Sequence, residues 1–282
     1  MTPEARVDHY ADLVGGRFGL VGELPGGRAL QIADETGRHF VLKWDHDEAS
    51  KATRRRAIGI AERLGAEAGW PVPAFDIAED DVWLFVRQQL MPGTEPTELT
   101  ESLWNQVFEL TEATAGLGVG SVNDWPERLV DTLVAEPIRP TVYCDHEPLR
   151  RHSEVGRELI QRIEGIGAVD LEAADDLMHW DLHLGNLLVV DGRISAVIDL
   201  DNAGPGPRGF DLITFAMSSH PLPGPKGFAT AMLDDARRQV SDALADAAIA
   251  HLILRFSNWA LRTGQAEVAD YWIARGQRLL LK

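Results

Sequence analysis

Two residues at the open end of a predicted hairpin, Asn186 and Asp199, have the chemistry of a hard-cation site. Leu187 to Val190 and Arg193 to Ile198 are apolar, β-forming runs joined by Asp191-Gly192, a strong short hairpin signal. A two-residue turn pairs Val190 with Arg193, which sets Asn186 opposite Val197 and makes Asn186 and Asp199 diagonal neighbours about 7 to 8 Å apart. A carboxylate and an amide carbonyl are hard oxygen ligands for Mg²⁺, whose short bonds of about 2.1 Å leave its other positions to water and phosphate oxygens. The same two residue types also serve simply to end strands. Asp181 stands five residues before Asn186, in His179-Trp180-Asp181-Leu182-His183-Leu184-Gly185-Asn186. On a non-helical loop, that carboxylate can accept a hydroxyl proton while a metal holds a phosphoryl donor, the division of labour that phosphoryl transfer needs. His179 and His183 also have the i, i+4 spacing of a zinc pair. The loop is too short for a helix, however, and no further His or Glu completes that set.

Lys43, in Phe40-Val41-Leu42-Lys43-Trp44, is the one lysine inside an apolar strand-like run; Lys51, Lys226 and Lys282 sit in helical, loop or terminal settings. An ammonium on a mostly buried strand calls for phosphate oxygens and an acidic partner, unless the strand is half-buried and the side chain points to solvent.

The elements that must position these groups change character near residue 92. Strand-like runs cover Arg17 to Leu24, Arg28 to Ala33 and Arg38 to Trp44, and a further pair flanks Glu79-Asp80-Asp81. Pro25-Gly26-Gly27 and Asp34-Glu35-Thr36-Gly37 separate them, which predicts an antiparallel meander. A helix from about Glu48 to Glu67 interrupts it. A short opening helix is expected with Thr2 as N-cap, Pro3 at its first position and Gly15-Gly16 as its stop. Met91-Pro92-Gly93-Thr94-Glu95-Pro96 cannot continue a central strand, because proline removes a ladder donor. The expected division is therefore an N-terminal domain at 1–91, a linker at 92–96 and a mostly helical domain at 97–282 that contains the 177–201 hairpin.

The 282 residues are 45% hydrophobic and 25% charged, which excludes fibrous and wholly disordered classes. The formal charge of -17 repels phosphate backbones and attracts cations, so no nucleic-acid partner is expected. A lone Cys144 excludes a disulfide framework and Cys-rich metal sites and points to a reducing compartment. No basic n-region with an apolar stretch opens the chain, and no run reaches the roughly 18 apolar residues of a membrane span. The expectation is a cytoplasmic protein with no membrane partner.

Together these motifs resemble the kinase-like phosphotransferases, specifically the aminoglycoside phosphotransferase and small-molecule kinase family, over nearly the whole chain. His179 to Asn186 is similar to that family's H-G-D-L-H-x-x-N catalytic loop. Ile198-Asp199-Leu200-Asp201, followed by Gly206 and Asp211-Leu212, is similar to its I-D-x-x-x…G…D-L element. The resemblance implies an α+β, protein-kinase-like bilobal fold with an antiparallel-sheet N-lobe bearing one helix and a mostly helical C-lobe. It implies ATP and Mg²⁺ as cofactors, Asp181 as catalytic base, and Asn186 and Asp199 as metal ligands. His179 would brace the loop, Asp211 would pin it, and Lys43 would touch the α- and β-phosphates with Glu62 favoured as its acidic partner over Glu48 or the 56–58 region. Gly26 and Gly27 would cover the nucleotide, and backbone groups of Gln89 and Met91 would bond adenine.

Trp180 stands where the family has glycine and would narrow the space beside Asp181 or offer the acceptor a surface. Asp145, Glu147, Asp201, Glu267 and Asp270 are candidate acceptor-site carboxylates, and their convergence would imply a polycationic acceptor. The expected function is O-phosphorylation of a cationic antibiotic, an aminoglycoside or a tuberactinomycin-type cyclic peptide. The alternatives are a metabolic kinase for choline, homoserine or a sugar, a zinc metallohydrolase using His179, Asp181 and His183, and a non-catalytic nucleotide-binding or interaction protein.

Overall fold

The computed structural model describes all residues except 25–28, 122–123, 136–143, 168–170, 172–173 and 281–282. In chain order the elements begin with α1 (Pro3–Val14), β1 (Phe18–Glu23), β2 (Ala29–Asp34), β3 (His39–Asp45), α2 (Glu48–Ala68), β4 (Phe75–Glu79) and β5 (Leu84–Gln89). Next come α3 (Glu101–Glu112), α4 (Trp125–Leu133), α5 (Glu147–His152), α6 (Glu154–Ile166), β6 (Leu177–Met178), β7 (Leu187–Val190), β8 (Arg193–Val197) and β9 (Gly204–Pro205). The chain closes with α7 (Arg208–Ser218), α8 (Phe228–Arg238), α9 (Asp242–Arg262) and α10 (Ala266–Leu280). Contacts divide it into two compact units, Met1–Pro96 with Gly185–Ala203, and Thr97–Leu184 with Gly204–Lys282.

In the first unit, five antiparallel strands run in the order β1-β2-β3-β5-β4. Thr2 caps α1 through Ala5 N–H, and Gly15 ends it in the left-handed conformation that glycine adopts at least cost. Asp47 caps α2 in the same way, through Ser50 N–H, and Gly69 ends it. Because strand side chains alternate, each face of the sheet buries a different set. Leu30, Ile32, Leu42 and Phe85 pack with Val7 and Tyr10 of α1, while Leu84 and Val86 pack with Ile58 of α2. Lys43 follows Leu42 and is paired in register with Val86, so it lies on the α2 face, and its side chain is only 12% exposed.

The β7–β8 hairpin, expected among the helices that flank it in sequence, has its contacts in this first unit. Thr94 and Val189 exchange both backbone hydrogen bonds (3.2 and 2.8 Å), and Ser195 Oγ donates to the Pro92 carbonyl at 2.7 Å. The linker is thus stitched to the hairpin, and only glycine fits at position 93. Its φ is 115°, and a Cβ there would stand 2.8 Å from the Val189 carbonyl oxygen.

The hairpin's register also departs from the expected one. Val190 pairs with Arg193 and Val189 with Ile194, but Leu188 pairs with Ala196, so Ser195 is a bulge. Asn186 therefore stands opposite Ile198, whose N–H donates to the Asn186 carbonyl at 2.9 Å, rather than opposite Val197.

The second unit is helical. α9 packs on α10, α7, α4 and α6, and α7 is buried from Gly209 to Met217. β6 and β9 form a two-stranded bracket, with Met178 paired to Gly204, which presents His179 immediately beyond its edge. Among the described residues no helix is long and apolar enough to cross a membrane.

Gly93→Ala should cost about 2 kcal/mol or more of stability, since left-handed strain and the crowded Val189 carbonyl act together. Chemical denaturation measures it, and a wild-type midpoint would show that the stitch is not tight.

Candidate active site

In the first unit, the groups singled out in the sequence gather on the α2 face of the sheet. Lys43 Nζ donates to Asp199 Oδ1 at 2.6 Å and to Asp201 Oδ2 at 3.0 Å. Asp201 Oδ1 is held by Arg54 of α2, and Arg54 Nε donates to Asp45 Oδ2 at 2.8 Å. Burial alone raises the Asp201 carboxyl, but the attraction of Lys43 and Arg54 outweighs it and leaves the group below its ordinary value. Burial likewise works against the Arg54 charge, and Asp201 and Asp45 more than offset it, so its pKa rises. Asp199 has φ 59°, a left-handed conformation that Asp tolerates better than most residues.

Asn186 is buried at the mouth of the hairpin, and its backbone carbonyl accepts from the N–H of Ile198, one residue before Asp199. A hard amide oxygen and a half-exposed carboxylate at one hairpin end suit a Mg²⁺-type cation. Among the described residues, no three His, Cys, Asp or Glu side chains gather as a metal set, so His179, Asp181 and His183 do not make a zinc centre. At the end of β5, the Gln89 N–H is taken by the Ala74 carbonyl at 3.0 Å. Met91, two residues on, has no backbone hydrogen bond to the protein among the described residues.

In the second unit, Asp211 in the first turn of α7 holds the loop. Its two oxygens accept from the adjacent amides of His179 (2.6 Å) and Trp180 (2.9 Å). Burial pushes the Asp211 carboxyl up to about 7, against those two donors, and the charge of Asp181 adds to the rise. The His179 ring is fully buried, and its Nδ1 accepts from Asp181 N–H at 3.3 Å. Asp181 Oδ2 is paired with Arg255 of α9, while Oδ1 faces His183 Nε2 at 3.6 Å.

Trp180 takes φ 69°, costly for a bulky residue, and is offset by packing. It is only 7% exposed, stacked on Phe210 at 5.0 Å with the Arg128 guanidinium over its ring at 4.8 Å. His251 meets its edge, and burial, then Arg255 and Arg128, push that imidazole down to about 3, so it is neutral.

Several expectations are corrected. Glu62 lies exposed on the outer side of α2, so Lys43 takes Asp199 and Asp201 as partners instead; Glu48 pairs with Lys51. Trp180 is a packed ring, not an open acceptor surface, because its strained backbone turns it onto Phe210. Asp201 belongs to the Lys43 cluster of the first unit rather than to the acceptor side. Asp145 Oδ1 accepts from Glu147 N–H at the start of α5, Glu147 is paired with Arg150, and Asp270 is paired with His152 at 2.7 Å. Glu267 is exposed in the first turn of α10. Gly26 and Gly27 lie outside the described residues. The sequence reading missed Arg54, Asp45 and Arg255. Arg54 sits in an Arg54-Arg55-Arg56 run that reads as a solvated helix face, and Arg255 carries no local signal at all.

A family model described as the phosphotransferase enzyme family matches residues 26–247. No curated protein matches the chain. Among solved structures, a thermostable mutant of aminoglycoside phosphotransferase APH(4)-Ia with ADP and hygromycin B is 17% identical with a TM-score of 0.66, covering 97% of each chain. Amicoumacin kinase hAmiN with AMP-PNP, Ca²⁺ and Ami is 17% identical with a TM-score of 0.61, covering 98% of this chain and 94% of the other. The gentamicin complex of APH(2'')-IIa is 14% identical with a TM-score of 0.59, covering 98% and 96%. At these identities the likeness is one of fold, and the chain has the kinase-like fold of these structures.

The Asp211 titration has a defined sign. The folded carboxyl, near 7, retains a proton that the unfolded one, near 3.8, has lost. This group's contribution to stability therefore falls as pH rises from about 4 to about 7 and is level above. Asp211→Asn, neutral throughout, should remove that slope. Urea unfolding at pH 5 and pH 8 measures it, and an equal slope in variant and wild type would refute the assignment.

Proposed function

The chain belongs to the phosphotransferase enzyme family, and on that premise we propose that it moves the γ-phosphoryl group of ATP to a hydroxyl of a small-molecule antibiotic. The observation that carries this is the bond from Lys43, on the helix-facing side of β3, to Asp199, a residue 156 positions away in a motif with the chemistry of a metal ligand. The lysine's remaining N–H capacity suits phosphate oxygens. Met91, with its backbone groups unclaimed among the described residues, suits the edge of a purine, whereas the Gln89 N–H, taken by the Ala74 carbonyl, does not. Mg²⁺, held by Asn186 and Asp199 when bound, supplies charge neutralisation on the phosphates.

Asp181 is assigned the base. The acceptor oxygen attacks the γ-phosphorus, its proton passes to the Asp181 carboxylate, and the bond from phosphorus to the bridging oxygen of ADP breaks. Asp211 keeps the loop amides in place, so that Asp181 is presented in one orientation, and His179 and Arg255 limit its motion. A phosphate on the acceptor adds negative charge and bulk, which would spoil the binding of a cationic drug to RNA and give resistance. The antibiotic acceptor is supported by relatives of the same fold bound to hygromycin B, gentamicin and Ami, and a cationic one by the chain's charge of -17. A cytoplasmic location accords with a single cysteine, Cys144, in the sequence.

One observation favours the second reading, a metabolic kinase for choline, homoserine or a sugar. Asp145, Glu147 and Asp270 are engaged with protein groups, and the cation nearest Asp181 is protein-borne Arg255. Turnover of ATP against aminoglycosides, basic cyclic peptides and those metabolites separates the two, and turnover confined to a neutral sugar would reject the antibiotic.

Asp181→Asn should lower turnover by roughly two to four orders of magnitude with nucleotide binding unchanged. Steady-state kinetics and a nucleotide titration test it, and full turnover in the variant would remove Asp181 as base.

A further inference from the structure

A phosphate-binding lysine is useful only if its ammonium stays where the phosphates arrive, and a single carboxylate on a helix is the simplest way to hold it. Here the side chain that α2 sends to this place is a cation. Arg54 is 14% exposed and its guanidinium is divided between two carboxylates, Nε on Asp45 and Nη1 on Asp201. Asp45 is two residues beyond Lys43 on β3 and so shares its face. Asp201, in the short turn Leu200–Asn202, is divided likewise, with Oδ1 on Arg54 and Oδ2 on Lys43. The five groups alternate in sign: Asp45, Arg54, Asp201, Lys43, Asp199.

We propose that Arg54 and Asp201 are positioning residues for Lys43, the helix arginine fixing the loop carboxylate and the carboxylate fixing the ammonium. The proposal rests on the nucleotide reading above and adds to it which residues make the lysine competent. Asp201 cannot rotate without breaking its hydrogen bond from Lys43 or its ion pair with Arg54, and Arg54 cannot move without loosening the turn from the strand that carries Lys43. Asp199 differs, since among the described residues Lys43 is its one cationic partner. Asp201 is therefore the fixed anchor, and Asp199 is the carboxylate at liberty to serve a second cation. Of the ammonium's three protons, one goes to each carboxylate and one is left for phosphate.

The test is binding of a fluorescent ATP analogue to the full chain with EDTA present, beside steady-state kinetics with Mg²⁺. Asp201→Asn and Arg54→Met should each weaken metal-free binding roughly tenfold and raise the KM for ATP more than they lower kcat. The double variant should bind no worse than the weaker single, because both act through one chain of bonds. Arg54→Lys keeps the charge without the fork, supplies a folded variant should Arg54→Met fail to fold, and should recover part of the loss. Near-UV circular dichroism confirms that each variant compared is folded. Wild-type binding in both single variants, or additive losses in the double, would overturn the proposal. So would a loss seen only with Mg²⁺, which would make Asp201 a metal ligand. If wild type and Lys43→Met bind the analogue equally poorly, the nucleotide reading itself fails, a result distinct from the others.

Discussion

An ammonium on the inner face of a sheet must be neutralised, and most of the first unit's geometry follows from that requirement at Lys43. Its strand neighbours Leu42 and Trp44 face the other way, into the cluster with α1, so alternation alone carries Lys43 to the side of α2. A buried cation without a partner costs several kcal/mol, whereas a lysine bonded to two carboxylates is tolerable. Those carboxylates come from the segment just after β8. The β7–β8 hairpin must therefore fold against the N-terminal sheet rather than the helices that flank it in sequence. The bonds from Thr94 and Pro92 to Val189 and Ser195, and the approach that only Gly93 permits, fasten it there. One charge on a strand thus accounts for a segment leaving its sequence neighbours.

The loop of the second unit is governed by the complementary device, a buried carboxyl group that accepts from backbone donors. Consecutive amides at His179 and Trp180 point the same way only when the chain turns sharply, and Trp180 adopts φ 69° to achieve it. Glycine meets that demand without strain. A tryptophan meets it because Phe210 stacks on the ring and the Arg128 guanidinium lies over it, so packing free energy offsets the backbone cost of about 1 to 3 kcal/mol. The result is a rigid platform from which Asp181 projects between Arg255 and His183.

Local chemistry explains which parts were legible in the sequence. Thr2 and Gly15 act within a turn of where they stand, so α1 could be bounded from its caps, and Asp191-Gly192 announces its hairpin because both turn positions need a positive φ. The bulge at Ser195 has no such mark: a polar residue in an apolar run fits either strand face, and the register slips by one without disturbing the pattern. Ion pairs were the least visible. Lys43 and Asp199 are far apart in the chain, and nothing near either specifies the other, so the choice of Glu62 rested on helix position alone. Asp145 and Asp270 illustrate the same loss, since a carboxylate that accepts from a nearby amide or meets a histidine has the same one-letter code as a free one.

Charge acts on two length scales in this protein, and only one of them selects. A net charge of -17 raises the local concentration of any cation, but beyond about 8 Å at physiological ionic strength that field is largely screened and carries no shape. Discrimination comes from groups in contact with the ligand, where the dielectric is low and a single guanidinium outweighs many distant carboxylates. The surface acidity and the pairing of Arg255 with Asp181 are thus not in conflict. On the proposed reading, the first would govern how often a cationic molecule arrives, and the second which of its hydroxyls could approach Asp181, because an ammonium adjacent to the reacting oxygen would be repelled by Arg255.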